Sequence, residues 1–344
     1  MIRRSRILLL AGSLALAAAF GGYAWFWTWT ADRILAGLPA WTGAMAADGV
    51  RVAHGPASVS GFPFAFRLSL PEPRIARAAS YPAFRWSGDG LTATARPWRL
   101  AEWELAVPAP SRLELAAGRE RWQGTVASGD GAFVADARGG TLVLDLRGIV
   151  GVERDPLSIG ALRLRVAPDA ARPAALAASV TAASVRLPAG VDAPLGREIS
   201  VVAGKAALVE RIPDLPPAAA LAAWRRAGGT LDVEHFRIVW GEARVEGAFT
   251  AALDRDLQPI LAGTAELAGH DAAIDALVGA GQLGRMEAFG IRALLAAVAR
   301  PAASGDGAVV AAQFSVQDGR VSAGPVGTAP LRLFSLPRIA WPER

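Results

Sequence analysis

From Phe62 to Leu70 the chain alternates without a break. Phe62, Phe64, Phe66, Leu68 and Leu70 share one parity, and Ala65, Arg67 and Ser69 take the other. Strict period two over nine positions describes a strand with one face buried, because successive side chains point to opposite faces of a sheet. Gly61 supplies a turn or bulge before the run, Pro63 fixes φ, and the prolines at either end stop the pairing. On this reading the three Phe side chains set an apolar face, and Phe64→Asp is expected to cost several kcal/mol by burying an unpaired polar group.

The same period recurs along most of the chain. Leu113 and Leu115 alternate with Arg112 and Glu114; Leu142, Leu144 and Leu146 alternate with Val143, Asp145 and Arg147; Leu162, Leu164 and Val166 alternate with Arg163 and Arg165. The runs "GTLDVEHFRIVWG", "ARVEGAFTAALD" and "QPILAGTAELAG" follow, each bounded by Gly, Pro or Asp. Short strands with turn signals between them point to antiparallel sheet rather than βαβ units. The expected fold class is mainly β, a β-rich α+β protein. Its large curved antiparallel sheet or sheets would form a sandwich, a groove or a partial barrel, with a few helices.

Helical spacing is confined to a few places. Ile34, Leu35, Leu38, Trp41 and Met45 predict a short helix in 31–50, with Pro39 as a kink and Gly49 as a stop. "PPAAALAAWRRAGG" opens on Pro216-Pro217 and closes on Gly228-Gly229, the expected start and stop of a helix over 216–229. Residues 271–299 read as a helical hairpin broken at Gly279 to Gly284. The linker helix divides a β-rich half over 51–215 from a second over 230–344.

The N-terminus, residues 1–30, has a different character. Arg3, Arg4 and Arg6 precede Ile7 to Trp29, twenty-three residues with no charge. That is enough for a helix across a hydrocarbon core, which needs ~20 residues. Ala17-Ala18-Ala19 offers a signal-peptidase site, but the apolar run continues through Tyr23, Trp25, Phe26, Trp27 and Trp29, aromatic residues suited to the far interface. The expectation is an uncleaved transmembrane anchor with its basic flank in the cytoplasm. The chain would be a single-pass protein of the inner membrane with its body in the periplasm.

Apolar residues make up 52% of the 344 and charged residues 19%, which excludes disorder as the main state. Cysteine is absent, and with it disulfides, thiolate metal sites and Cys nucleophiles. The net charge is +5, yet the Arg residues are scattered singly along predicted strands, and Lys205 is the one Lys. A nucleic-acid protein would gather them on one face, so no nucleic-acid partner is expected. Gly279-Ala280-Gly281-Gln282-Leu283-Gly284 matches G-x-G-x-x-G but lacks the strand the dinucleotide motif requires, so it reads as a turn between helices. His54, His235 and His270 stand far apart, and no serine-hydrolase signature occurs. No catalytic constellation, cofactor or metal site is expected. The candidate residues that remain are aromatic: Phe62, Phe64, Phe66, Trp86, Trp98, Trp122, Phe236 and Trp240. They form either a packed core or an apolar sheet face that meets acyl chains.

The stretches "AWTGAMAADGVRVAHGPASVSGFPFAFRLSLPEP", "ARPW", "VWGEARVEGAFTAALDRDLQP" and "SVQDGRVSAGPVG" resemble the bacterial family called domain of unknown function 2125. The G-F-P-F corner, Gly61 to Phe64, is the most distinctive piece. The resemblance implies a fold and an envelope location, and the family has no assigned activity. More distantly, the tethered β-rich plan is similar to AsmA-like envelope proteins, which implies phospholipid traffic between membranes. The leading expectation is therefore a non-enzymatic protein that binds phospholipid or acyl chains for envelope maintenance. A scaffold with a sealed core that binds an envelope protein partner is the second, and a hydrolase assembled from distant residues the third.

Overall fold

The computed structural model describes residues 2–47, 49–77, 83–108, 110–117, 120–137, 139–169, 171–172, 175–213, 215–301, 308–325, 331–335 and 338–339. Side chains are described from residue 13 to 324, apart from 117 and 120, and again at 338–339. A single helix, α1 (Ile2–Ala47), comes first. Twenty strands and three further helices follow among the described residues.

The N-terminal strands are β1 (Arg51–Ala53), β2 (Ser58–Ser60), β3 (Phe66–Pro71), β4 (Arg74–Arg77), β5 (Ala83–Gly88), β6 (Gly90–Arg96), β7 (Arg99–Val107) and β8 (Ser111–Ala117). A long meander then runs through β9 (Glu120–Val134), β10 (Thr141–Gly151), β11 (Ser158–Pro168), β12 (Leu176–Arg186) and β13 (Glu198–Val209). After α2 (Pro217–Arg226) it continues through β14 (Thr230–Trp240), β15 (Ala243–Leu253) and β16 (Pro259–Ala268). The helical hairpin α3 (His270–Gly279) and α4 (Arg285–Val298) precedes β17 (Arg300–Pro301), β18 (Ala308–Gln317), β19 (Arg320–Pro325) and β20 (Leu331–Ser335).

All pairings are antiparallel, and they build one large open sheet. The longest strand, β9, organises it. The first part of β9 pairs with β8, its last part pairs with β7, and along its other side it pairs with β10. Two arms therefore meet at β9, one running β8–β5–β4–β1 and the other β7–β6–β3–β2. From β10 the order follows the chain to β16, and β18, β19 and β20 complete the edge. Of the three arrangements expected, a sandwich, a groove or a partial barrel, the sandwich is replaced by one open sheet. The sheet passes without interruption across α2, because β13 and β14 pair directly.

Two local expectations are corrected. The strand expected from Phe62 begins instead at Phe66, because residues 61–65 form a turn. Phe64 and Ala65 donate backbone hydrogen bonds to the Gly61 carbonyl at 3.1 and 2.9 Å. Gly61 has φ +104°, and a Cβ there would lie 2.7 Å from the Ala65 carbonyl, so this turn requires glycine. Within β3 the alternation then holds: Phe66, Leu68 and Leu70 are buried, and Arg67 is exposed. The second correction concerns the N-terminus, where one continuous helix runs through both the segment expected as an anchor and the short helix expected to be separate from it. Pro39 lies inside it at an exposed position. Gly49, at φ 78°, ends the helix, with Gly49 and Val50 donating to the Ala46 and Met45 carbonyls.

Among the described residues no helix is long and apolar enough to cross a membrane. Arg3, Arg4, Arg6 and Ile7 to Gly12 lie on α1, outside the described side chains. What α1 does show is a docking site on the body. The Trp27 ring stacks on Phe66 at 5.1 Å, its Nε1–H donates to the Ala65 carbonyl at 3.2 Å, and Ala31, Ile34 and Val59 complete the cluster. The Tyr23 hydroxyl donates to the Pro63 carbonyl.

Near the same ends of the strands, Asp169 ties the β11–β12 turn to β14. Its carboxylate accepts from the backbone N–H groups of Ala171 and Arg172, and Arg172 bridges it to Asp232. The Ala171 N–H first, then Arg172, holds the Asp169 carboxyl below the usual carboxylate range. A depressed carboxylate pKa stabilises the fold above the unfolded value of ~3.9 and loses that contribution as pH falls through the folded pKa. Asp169→Asn should therefore lower the urea midpoint at pH 7, and the gap to wild type should close as the pH drops below ~4.

Burial separates Phe66 from Phe64. Phe66 is 0% exposed and Phe64 is 73% exposed. In urea denaturation, Phe66→Ala should cost ~3–5 kcal/mol. Phe64→Asp should stay within about 0.5 kcal/mol of wild type, replacing the larger cost expected for a buried Phe64.

Candidate functional site

The pairing register brings apolar residues into rows that cross the whole sheet, since directly opposed residues share a face. One row runs Phe66, Ala95, Trp103, Phe133, Leu142 and Val166. It continues through Ala178, Ala206, Val233, Phe249, Gly263 and Phe314. A parallel row starts at Val59, Leu68, Ala93 and Leu105 and passes through Gly131 and Leu144. It goes on through Leu164, Val180, Gly204, Phe236, Gly247 and Ala265. Leu146, Leu162, Ala182, Val202, Ile238 and Val245 belong to a third. No charged residue occurs in any of these positions. With strands about 4.8 Å apart, the path from β3 to β18 extends roughly 50 Å.

The opposite face is charged. Arg163 pairs with its cross-strand neighbour Asp145 at 2.6 Å, Arg85 with Glu114 at 2.8 Å, and Arg147 with Asp130 at 3.2 Å. The hydrogen bond from Arg163 holds the Asp145 carboxyl below its ordinary range. These pairs are solvent-exposed, so their main effect is on register rather than on stability.

The apolar face is only partly covered. At its first edge α1 lies over Phe66 and Val59. Beyond that edge Leu142, Leu144, Leu162, Leu164 and Val166 are half-buried, and Val180 is 39% exposed. Phe236, Phe249 and Phe314 gather edge-to-face on this side, with ring centroids 5.8 to 6.4 Å apart. Glycines opposite the rings make the room: a Cβ on Gly247 would stand 2.9 Å from the Phe236 ring and 2.3 Å from the Thr264 carbonyl.

The aromatic candidates separate into distinct settings. Phe66 is buried under α1, and Phe236 sits in the ring cluster. Trp86 is half-buried on β5 between Ile75 and Leu113. Trp122 is half-buried on β9 and packs over Gly124, and the Trp240 Nε1–H donates to the Gly196 carbonyl at 2.6 Å. Phe62, Phe64 and Trp98 lie in turns at one end of the sheet and are exposed. On α1, Trp27 is buried against the body, whereas Trp25 and Trp29 stack on each other and remain exposed. Sequence reasoning did not single out Phe133, Phe249 or Phe314. Their alternation was visible, but membership of a shared row is set by register between distant strands.

A cleft of about 470 Å³ lies at the far end of the strands, beside α3. Arg237, Arg244, Glu242, His270, Asp271 and Ala268 line it. His270 is buried, its Nδ1 lacks a partner, and its Nε2 stands 3.9 Å from Asp271, which also pairs with Arg292. The lining contains no Ser, Thr, Lys or Cys to serve as a nucleophile. Among the described residues no group of three or more His, Cys, Asp or Glu is placed to hold a metal ion.

An open antiparallel sheet with one apolar and one charged face, and a long N-terminal helix docked on its first edge, is the class of protein these observations define. A family model described as "Uncharacterized protein conserved in bacteria (DUF2125)" matches residues 27–332, and the chain belongs to that family. No curated protein and no solved structure matches it.

The close approach at Gly247 gives a test of the face's packing. Gly247→Val should cost ~1–3 kcal/mol in urea denaturation through overpacking against Phe236 and the Thr264 carbonyl.

Proposed function

We propose that this protein is a non-enzymatic envelope protein, anchored in the inner membrane by α1, whose apolar sheet face holds phospholipid acyl chains. The observation that carries the reading is the set of uncharged rows, half-exposed and open beyond α1. Apolar surface left in water costs about 25 cal/mol per Å², so a face of this extent favours an apolar occupant. Acyl chains suit it because the rows run straight across many strands with no polar group to satisfy. The uncharged segment from Ile7 to Trp29 behind three arginines supports the anchor, with the body in the periplasm. The reading assigns the protein to lipid handling in envelope maintenance.

The test is mass spectrometry of the full chain, purified from a bacterial envelope in a membrane-mimetic free of phospholipid, native and then after solvent extraction. Phospholipid should co-purify at near-integral stoichiometry. Val180→Asp, on an exposed position of the face, should abolish that retention while moving the urea midpoint by less than about 1 kcal/mol equivalent. A lipid-free mass with no uptake from added phospholipid vesicles would overturn the reading and favour a protein partner.

A further inference from the structure

The G-F-P-F corner touches the uncharged part of α1 well before that part ends. Phe62 packs edge-on against Phe20 at 6.0 Å and against Trp27 at 5.6 Å, and lies 6.1 Å from the Tyr23 ring. After Arg6 the first charges in the chain are Asp32 and Arg33. A helix rises 1.5 Å per residue, so a hydrocarbon core of ~30 Å beginning at Ile7 extends to about Trp27. Phe20 then sits well inside the core, and its partner Phe62 cannot be far outside.

The surface around Phe62 has the chemistry of that position. Phe64 is 73% exposed, and Trp98, 63% exposed, lies in the β6–β7 turn at the same end of the sheet. Arg67 and Arg96 are exposed behind the turns, where they would meet lipid phosphates. On α1, Arg33 stands over the Trp29 ring at 4.8 Å, an aromatic and a cation at the level where the charges begin. We infer that the corner formed by Phe62, Phe64 and Trp98 is embedded in the outer half of the bilayer that α1 crosses. The embedded corner seats the first edge of the sheet, where Phe66 and Val59 begin the apolar rows, at the membrane surface. This rests on the anchor reading above and adds a second point of contact with the same bilayer, made by the body.

The absence of cysteine makes the test direct. Single variants Leu14→Cys, Phe64→Cys and Val152→Cys, all at exposed positions, are labelled with an environment-sensitive dye in the full chain. Each is reconstituted in phosphatidylcholine–phosphatidylglycerol vesicles with and without nitroxide-labelled lipid. Val152 follows the far end of β10 and reports the distal body. The expected result is loss of most emission at 14 and 64 and none at 152. Quenching at 14 alone would overturn the embedded corner while leaving the anchor intact. Quenching at neither 14 nor 64 would overturn the anchor and the inference together. Equal quenching at all three would overturn the corner as the point of contact.

Discussion

A slip of one residue in any pairing from β9 to β18 would carry leucines to the charged face and arginines to the apolar one. Register is therefore the constraint on which the molecule depends. It is held from both sides. On one face the Leu and Phe rows lose their continuity if a strand moves. On the other, Asp145 would lose Arg163 and Asp130 would lose Arg147. Individually these exposed pairs contribute little, but each is satisfied in one register.

Such a sheet has an unusual energetic shape. A two-layer domain buries one face of each layer against the other and draws most of its stability from that core. Here the deepest burial is local: Phe66 beneath Trp27, Trp224 donating to the Val209 and Glu210 carbonyls, and Val126 and Ile149 where β9 and β10 bend at Gly148. Between these points the apolar side chains touch their neighbours along the row and leave their outer surface free. Neighbour contacts and ladder hydrogen bonds keep the sheet folded. They do not remove the cost of the free surface.

The sequence made the faces legible and left their assembly hidden. Alternation at Leu142 to Arg147 and Leu162 to Arg165 identified which side of each strand is apolar, because a period of two is a local property. That Leu144 shares one row with Leu164, Val180 and Phe236 depends on register across strands far apart in sequence, which no local pattern encodes. The same limit explains the G-F-P-F corner. Phe62 and Phe64 share the parity of Phe66, and parity alone extended the strand through them. The Gly61 backbone and the hydrogen bonds it accepts turned them outward instead. Pro39 shows the converse, where a residue that usually ends a helix sits on a solvent-facing turn and is tolerated.

The placement of α1 joins these threads. Phe66 is the first apolar residue of its row and the residue on which Trp27 stacks, so the helix and the sheet face share one contact. A helix that held the body elsewhere, at the charged face or at the far end beside α3, would leave Phe66 and Val59 uncovered. Docked where it is, α1 covers the near edge and leaves the rest of the face open along the direction of strand stacking. On the proposed reading, an acyl chain leaving the bilayer would meet the exposed Phe62 first and then the uncharged rows beyond α1, with no charged side chain to cross. On the same reading, α1 is part of the binding surface rather than a tether attached to it.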